Sequence, residues 1–176
     1  MDSEHGEYWS APTPAELRPI ETLDHPDLKA TFDYWRRVKG ERAMPTREEI
    51  SPKELRQALR TIHLYDVLDD GDYRLRLVGS GVFPGLSEDQ TGKRLSEHPD
   101  PGIRLRFAAA LNHVVATGAP VRSVSLRKTG DLLHDAHTEG LWLPLGAGDR
   151  VEHVLAQSAL AILEPGSEGF GDKPNG

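Results

Sequence analysis

The sequence contains no cysteine, and aromatic residues make up only 6% of the chain. Without cysteine there are no disulfide bonds, no thiolate metal ligands and no cysteine nucleophile. The scarcity of aromatic side chains leaves few partners for the flat ring of a flavin. These absences remove thiol chemistry and speak against a flavin, and no other feature of the composition identifies a cofactor.

Long apolar runs and positive charge are also scarce. No run approaches the ~18 apolar residues that a membrane span requires. The first ten residues, MDSEHGEYWS, lack the basic and apolar regions of a signal peptide. The chain carries 21 basic against 28 acidic residues, a net charge of −7, and an acidic chain is repelled by a polyanion. We therefore expect a cytoplasmic protein whose partner is neither a membrane nor a nucleic acid.

Proline, glycine and acidic residues dominate both ends of the chain. Residues 1–25 contain several prolines and few aliphatic side chains, and residues 164–176, EPGSEGFGDKPNG, show no apolar period. Both compositions are typical of flexible tails. Residues 26–163 remain, which are enough for a single domain with one core.

The first part of this domain has a helical period. Apolar residues recur at spacings of four, three and three over residues 26–39, namely at Leu28, Phe32, Trp35 and Val38. Gly40 suits the left-handed position that ends a helix, and Pro45 favours an extended turn. Residues 51–54, SPKE, form a capping box that predicts the start of a second helix.

After residue 60 the pattern changes to that of strands. Two strands joined by a hairpin turn, a long helix and three further strands are predicted at 62–68, 73–79, 101–117, 121–128, 136–145 and 151–163. The short connections require antiparallel pairing, because a parallel crossover needs a dozen or more residues. This order predicts an α+β fold: a five-stranded antiparallel sheet, an N-terminal helical cap, and helices inserted between strands 2 and 3.

A series of short motifs in the same region resembles a known family. They are Tyr34-Trp35, Lys39-Gly40, Met44-Pro45-Thr46-Arg47, Ile50-Ser51-Pro52, Tyr73-Arg74-Leu75-Arg76-Leu77-Val78-Gly79-Ser80 and Asp89-Gln90-Thr91-Gly92-Lys93. Their order, and the order of helices and strands, is similar to that of PAS domains, in particular the PAS_5-like branch found mainly in alphaproteobacteria. The resemblance covers residues 26–163 and implies a standalone PAS domain.

What the resemblance implies is a non-enzymatic sensory or signalling module that binds a small ligand or a protein partner. By analogy with the fold, a pocket is expected between the inner face of the sheet and the helices at 80–117. The residues expected to line it are Leu77, Val82, Phe83, Leu111, His113, Val124 and Trp142. The fold alone fixes neither the ligand nor its existence.

A protein–protein adaptor without a ligand is the alternative. In that case the stripe formed by Leu28, Phe32 and Trp35 is a surface for a homodimer or for a signalling partner. Otherwise the same stripe covers the sheet of its own chain. Two roles are likewise possible for the three arginines of the family motifs: they bind an acidic group, or they form structural ion pairs. These arginines are Arg47, Arg74 and Arg76.

Two further alternatives involve histidine. His134, His137 and Glu139 carry the ligand types of a divalent metal site, which would suit a metal-dependent or carrier protein. On a strand, however, His134 and His137 face opposite sides, so only two ligands share a face. His113 lies on the long helix where some PAS proteins ligate haem, but a single axial ligand is weak evidence. We therefore expect no metal site.

Overall fold

The structure, a computed structural model, describes residues 15–82, 88–128 and 135–163. In chain order, strand β1 is Glu16–Arg18, helix α1 is Pro26–Lys39, β2 is Ile62–Val67, β3 is Tyr73–Val78, α2 is Pro101–Thr117, β4 is Val121–Lys128, β5 is Asp135–Ala147 and β6 is Arg150–Leu163. Short 3-10 helices lie at Ile20–Thr22, Arg47–Glu49 and Leu95–Glu97.

All strand pairs are antiparallel and form one sheet in the order β1-β4-β5-β6-β2-β3. The predicted α+β class, the hairpin, and the three closing strands after a helical insertion are therefore confirmed. The predicted number of five strands is wrong by one, because β1 adds a sixth strand beside β4. Its three residues are too few to show an alternating pattern in the sequence.

The fold begins before the predicted boundary at residue 26. Leu17 of β1 pairs with Ser123, and Leu23 is buried in the core. Prolines at positions 12, 14 and 19 made this region resemble a tail, yet proline is compatible with a short strand at the edge of a sheet.

Helix α1 follows the predicted pattern closely. His25 is its N-cap and accepts a hydrogen bond from the Asp27 backbone through Nδ1, and Pro26 occupies the first turn. Gly40 ends the helix with φ of 57°, but its ψ of −128° lies outside the left-handed helical region that the sequence predicted. Both α1 and α2 are shorter or more polar than a membrane span requires, as is every helix in the described ranges.

The predicted second helix is absent. Residues 52–61 form successive turns that mix hydrogen bonds to the third and the fourth preceding residue. The capping box lies earlier, where the Glu49 carboxylate accepts from the Thr46 backbone N–H at 2.8 Å. Glu49 also pairs with Arg42 at 2.9 Å. The capping box therefore starts the 3-10 helix at Arg47–Glu49 and not a helix after Ser51.

Each face of the sheet is covered by one long helix. Helix α2 covers the face that carries His63, Tyr65 and Trp142, whose rings lie near Phe107 of α2. Helix α1 contacts β5 and β6, and the Trp35 indole donates to the Pro144 carbonyl at 3.0 Å. We call these two sides the α2 face and the α1 face.

A bulge in β3 reverses the alternation of its side chains. Tyr65 pairs with Leu75, but the preceding residue Leu64 pairs with Leu77, so Arg76 is an extra residue. A bulge moves the residues beyond it to the opposite face. Leu77 therefore lies on the α1 face, whereas the regular alternation in the sequence predicted that it shares a face with Leu75.

Candidate functional site

Four rings pack together on the α2 face. The His63 ring centre lies 5.3 Å from the ring centres of Tyr65, Phe107 and Trp142, and Phe107 and Trp142 are 5.1 Å apart. His63 and Tyr65 are two residues apart on β2, so they project to the same side. We call these four side chains the ring cluster; edge-to-face contacts of this kind stabilise a packed aromatic core.

Within the ring cluster, His63 and Tyr65 form a buried polar pair. The His63 Nδ1 and the Tyr65 hydroxyl are 2.8 Å apart, and both residues have no exposed surface. Burial lowers the pKa of His63 to about 3 and raises the pKa of Tyr65 well above its usual value. Both side chains are therefore neutral at physiological pH.

The hydrogen-bond pattern favours one tautomer of His63. A buried phenol needs an acceptor, and within the described residues Tyr65 has His63 Nδ1. Neutral imidazole then carries its proton on Nε2, which lies 3.4 Å from the Ser158 hydroxyl. Ser158, His63 and Tyr65 thus form a hydrogen-bonded chain, which we call the buried relay.

Ser158 opens onto a cleft at the end of β2. Strand β6 continues to residue 163, but its pairing with β2 ends where Ile62 meets Gln157. Beyond that point lies a cleft of about 360 Å³ whose lining includes Asp27, Thr61, Val82, Thr138, Gln157 and Ser158. We call it the end cleft; the N-cap of α1, His25, also lines it.

Gln157, one of the residues that line the end cleft, has a buried acceptor atom. Its side chain is 3% exposed, and its Oε1 has no hydrogen-bond partner among the described residues. The other amide atom, Nε2, donates to the Thr61 hydroxyl at 3.2 Å. A buried polar atom without a partner is uncommon and calls for a ligand or a water molecule.

A second concavity lies on the α1 face. It is an apolar groove of about 290 Å³, lined by residues that include Arg47, Pro52, Leu59, Leu64, Leu77 and Leu155. Leu64 and Leu155 form its buried floor, whereas Leu59 and Leu77 are 37% and 42% exposed. We call it the outer groove; it results from the bulge that turns Leu77 to this side.

The residues predicted to line one pocket are divided between the two faces. Leu111 and Trp142 are buried on the α2 face. Val124 pairs with Glu139 while Val121 pairs with Trp142, and residues three apart on a strand face opposite sides. Val124 therefore lies on the α1 face with Leu77.

The remaining predicted pocket residues also lie apart from one another. Val82 lines the end cleft. His113 is exposed on α2, and the histidine of the ring cluster is His63 instead. Phe83 lies outside the described residues.

The stripe predicted as a possible interface is turned toward its own sheet. Leu28 and Trp35 are 0% and 1% exposed. Phe32 is half-buried and stacks on Trp35 with ring centres 6.0 Å apart. Of the two alternatives for this stripe, the structure places it as a cover for the α1 face.

The family motifs have architectural positions. The Tyr34 hydroxyl accepts from the Ser51 backbone at 2.7 Å, and the Pro45 carbonyl accepts from the Gly146 backbone at 3.0 Å. A side chain at Gly79 would collide with the Leu59 carbonyl. These motif residues hold the segment between α1 and β2 against the sheet.

The other motif residues lie at the β3 edge of the sheet. Arg76 donates to Asp66 at 2.5 Å, which is a structural ion pair. The turn at Thr91 and Gly92 is bonded to Leu75, whose carbonyl accepts from the Gly92 N–H at 2.6 Å. Gly92 has φ of +85°, which favours glycine.

Glu139, the carboxylate of the possible metal group, is occupied by protein donors. Its Oε1 accepts from Arg122 at 2.6 Å and from the Asp24 N–H at 2.8 Å, and its Oε2 accepts from the His25 N–H at 2.9 Å. His134 and the His137 side chain lie outside the described residues. Among those described, no three potential ligands form a metal-binding group.

The topology is that of a PAS-type domain: a hairpin and a three-stranded closing unit share one antiparallel sheet, with a helical insertion between them. The sequence profile of the PAS domain family matches residues 23–157, and the chain belongs to this family. The predicted resemblance is thereby confirmed, and membership indicates a sensory or signalling module. Neither a curated protein nor a solved structure shows significant similarity to the chain.

His63, Tyr65 and Gln157 are among the residues of these sites that were not predicted. The spacing of His63 and Tyr65 placed both on one strand face, which was a usable signal. Gln157 and Ser158 stand in an otherwise apolar stretch, VLAQSALAIL, and polar residues there indicate buried hydrogen bonds. The outer groove had no such signal, because it depends on the bulge.

Proposed function

We propose that this chain is a non-enzymatic, cytoplasmic PAS-type sensory module that binds a small ligand in the end cleft. The observation that supports the proposal is the buried relay, which begins at the cleft with Ser158 and ends in the ring cluster at Tyr65. A volume of about 360 Å³ lies within the usual range for small-molecule sites.

The buried relay connects a ligand in the end cleft with helix α2. A ligand that bonds to the Ser158 hydroxyl changes its contact with His63, and the His63 ring packs against Phe107 of α2 at 5.3 Å. A shift in that contact changes how α2 lies on the sheet. Because a packed core has few alternative arrangements, a small local change favours one of two discrete states.

The proposal is tested by screening the full chain against a metabolite panel by thermal shift and by intrinsic fluorescence. Trp142, which is 5.3 Å from His63, is expected to report binding, and the fluorescence response is expected to disappear in Trp142→Phe. Ser158→Ala should weaken the response, whereas Ser51→Ala, outside the cleft, should not. No shift with any compound would reject the ligand-binding function.

A second candidate, a protein–protein adaptor, is favoured by the outer groove. Leu59 and Leu77 stand exposed beside a buried apolar floor, a combination that suits an apolar side chain from a second copy of this chain. The groove, rather than the stripe on α1, is then the interface of a homodimer.

The adaptor function is tested by sedimentation of the full chain over a range of concentrations. Leu77→Ser is expected to weaken self-association about tenfold or more, as for a hot-spot residue. Leu105→Ser is the matched control, because Leu105 is 61% exposed on α2 and outside the groove. A monomer at all concentrations would argue against this function and leave the ligand-binding proposal standing.

A further inference from the structure

We infer that the end cleft selects small ligands that donate an N–H hydrogen bond and carry no negative charge, such as amines and amides. The inference rests on the proposed ligand-binding function and adds the chemical class of the ligand. It is carried by the hydrogen-bond requirements of Gln157 and by the charges that line the cleft.

The orientation of the Gln157 amide follows from its neighbours. The Thr61 hydroxyl donates to the Ala58 carbonyl at 3.1 Å, so its proton is already used and its oxygen acts as the acceptor toward Gln157. The amide group nearest Thr61 must therefore be the N–H₂ group, at 3.2 Å. The atom without a protein partner is the carbonyl oxygen Oε1, which can only accept a hydrogen bond.

The position of Gln157 makes that acceptor selective. The side chain is 97% buried, and a buried acceptor that stays unpaired lowers stability by more than a typical hydrogen bond contributes. A site built to hydrogen-bond a ligand rejects an analogue that lacks the matching donor. The ligand must therefore bring a hydrogen-bond donor to Oε1, which the N–H groups of an amide or an amine supply.

The charges around the cleft oppose an anion. Neither Lys nor Arg is among the described residues of the lining. Asp27, which is exposed, places a carboxylate at the cleft, and the whole chain carries a net charge of −7. An anionic ligand would meet repulsion from Asp27, whereas an ammonium or neutral amide would not. The apolar residues Val82, Ala159 and Leu160 complete the lining and suit the hydrocarbon part of such a ligand.

The test uses four probes that share one ring and differ in their polar group: benzamide, benzylamine, benzoate and acetophenone. Each is titrated into the ¹⁵N-labelled full chain and followed by NMR, including the Gln157 side-chain amide. Benzamide and benzylamine are expected to shift this signal and to bind about three- to tenfold more tightly than acetophenone, the range expected for one hydrogen bond. Benzoate is expected to bind most weakly.

Gln157→Met removes the acceptor and nearly preserves the side-chain shape, so the preference for benzamide over acetophenone is expected to vanish. Gln90→Met is the matched control, because Gln90 is also 3% exposed but lies outside the cleft. If Gln157→Met does not fold, the probe series on the unaltered chain decides, since the Gln157 signal reports contact directly.

Equal binding of all four probes, or binding without a shift of Gln157, would overturn the inference, as would a preference for benzoate. If the metabolite panel yields a ligand that lacks N–H donors, the inference fails while the sensory function stands. If neither the probes nor any panel compound binds, both fail, and the Gln157 acceptor is satisfied by water alone.

Discussion

At the scale of single residues, the neutral state of His63 makes the stability of the protein depend on pH. Burial lowers its pKa from 6.5 to about 3. Between these values the unfolded chain binds a proton at His63 and the folded chain does not. The free energy of unfolding therefore rises with pH through this window. The contribution of neutral His63 is complete above about pH 6.5 and is lost progressively as the pH falls toward 3.

His63→Phe is expected to remove this dependence. The free energy of unfolding of the unaltered chain should fall by up to about 1.4 kcal/mol per pH unit between pH 6.5 and 3 relative to the variant. Urea unfolding at several pH values measures the difference, and the exposed His113→Phe serves as control. A constant difference between the two chains across this range would show that His63 titrates normally in the fold.

The sequence predicted these residues unevenly. The end of α1 at Gly40 and the turn at Pro45 were predictable, because helix caps and proline turns are local signals. The sequence did not identify His63 or Gln157, because the consequence of burying a polar side chain depends on partners such as Ser158 and Thr61, 95 and 96 residues away along the chain.

At the scale of elements, Trp35 attaches helix α1 to the sheet through both its burial and a hydrogen bond. Trp35 is 1% exposed and donates to the Pro144 carbonyl, whereas Phe32 is only half-buried. The helix itself was predictable from its period and caps. The turns at 52–61 were not, because the apparent capping box at 51–54 competes with a tighter one at Thr46 and Glu49.

Trp35→Ala is expected to lower the free energy of unfolding by about 3–5 kcal/mol, the range for removing a large buried aromatic side chain. Phe32→Ala should cost about 1–2 kcal/mol, because less of its surface is buried. Chemical denaturation measures both. If Trp35→Ala left monomer stability unchanged and weakened self-association, the stripe would be an interface after all.

At the scale of the whole molecule, a buried ion pair joins the N-terminal segment to the centre of the sheet. Arg122 and Glu139 are 4% and 0% exposed, and their nitrogen and oxygen are 2.6 Å apart. Arg122 also donates to the Thr22 hydroxyl at 3.2 Å, and Glu139 accepts the backbone N–H groups of Asp24 and His25. Residues 15–25 therefore satisfy charges that are otherwise buried without enough partners.

A chain that starts at residue 26, the boundary predicted from composition, is expected to be less stable than one that starts at residue 15. The loss should be at least about 3 kcal/mol, since two hydrogen bonds to a buried carboxylate and the pairing of β1 with β4 disappear. Parallel urea titrations of the two chains provide the comparison. Equal free energies of unfolding for the two chains would support a domain boundary at residue 26.

The single extra residue in β3 also has a consequence for how this surface can change. Deleting Arg76 would place Leu77 directly after Leu75, so simple alternation would keep Leu77 on the α1 face opposite Leu64, whereas the Asp66 ion pair would be lost. The six strands and both helices would keep their order. Related chains of equal fold can therefore lose this residue, and the ion pair with it, and still keep the apolar recess on the outer side of the sheet.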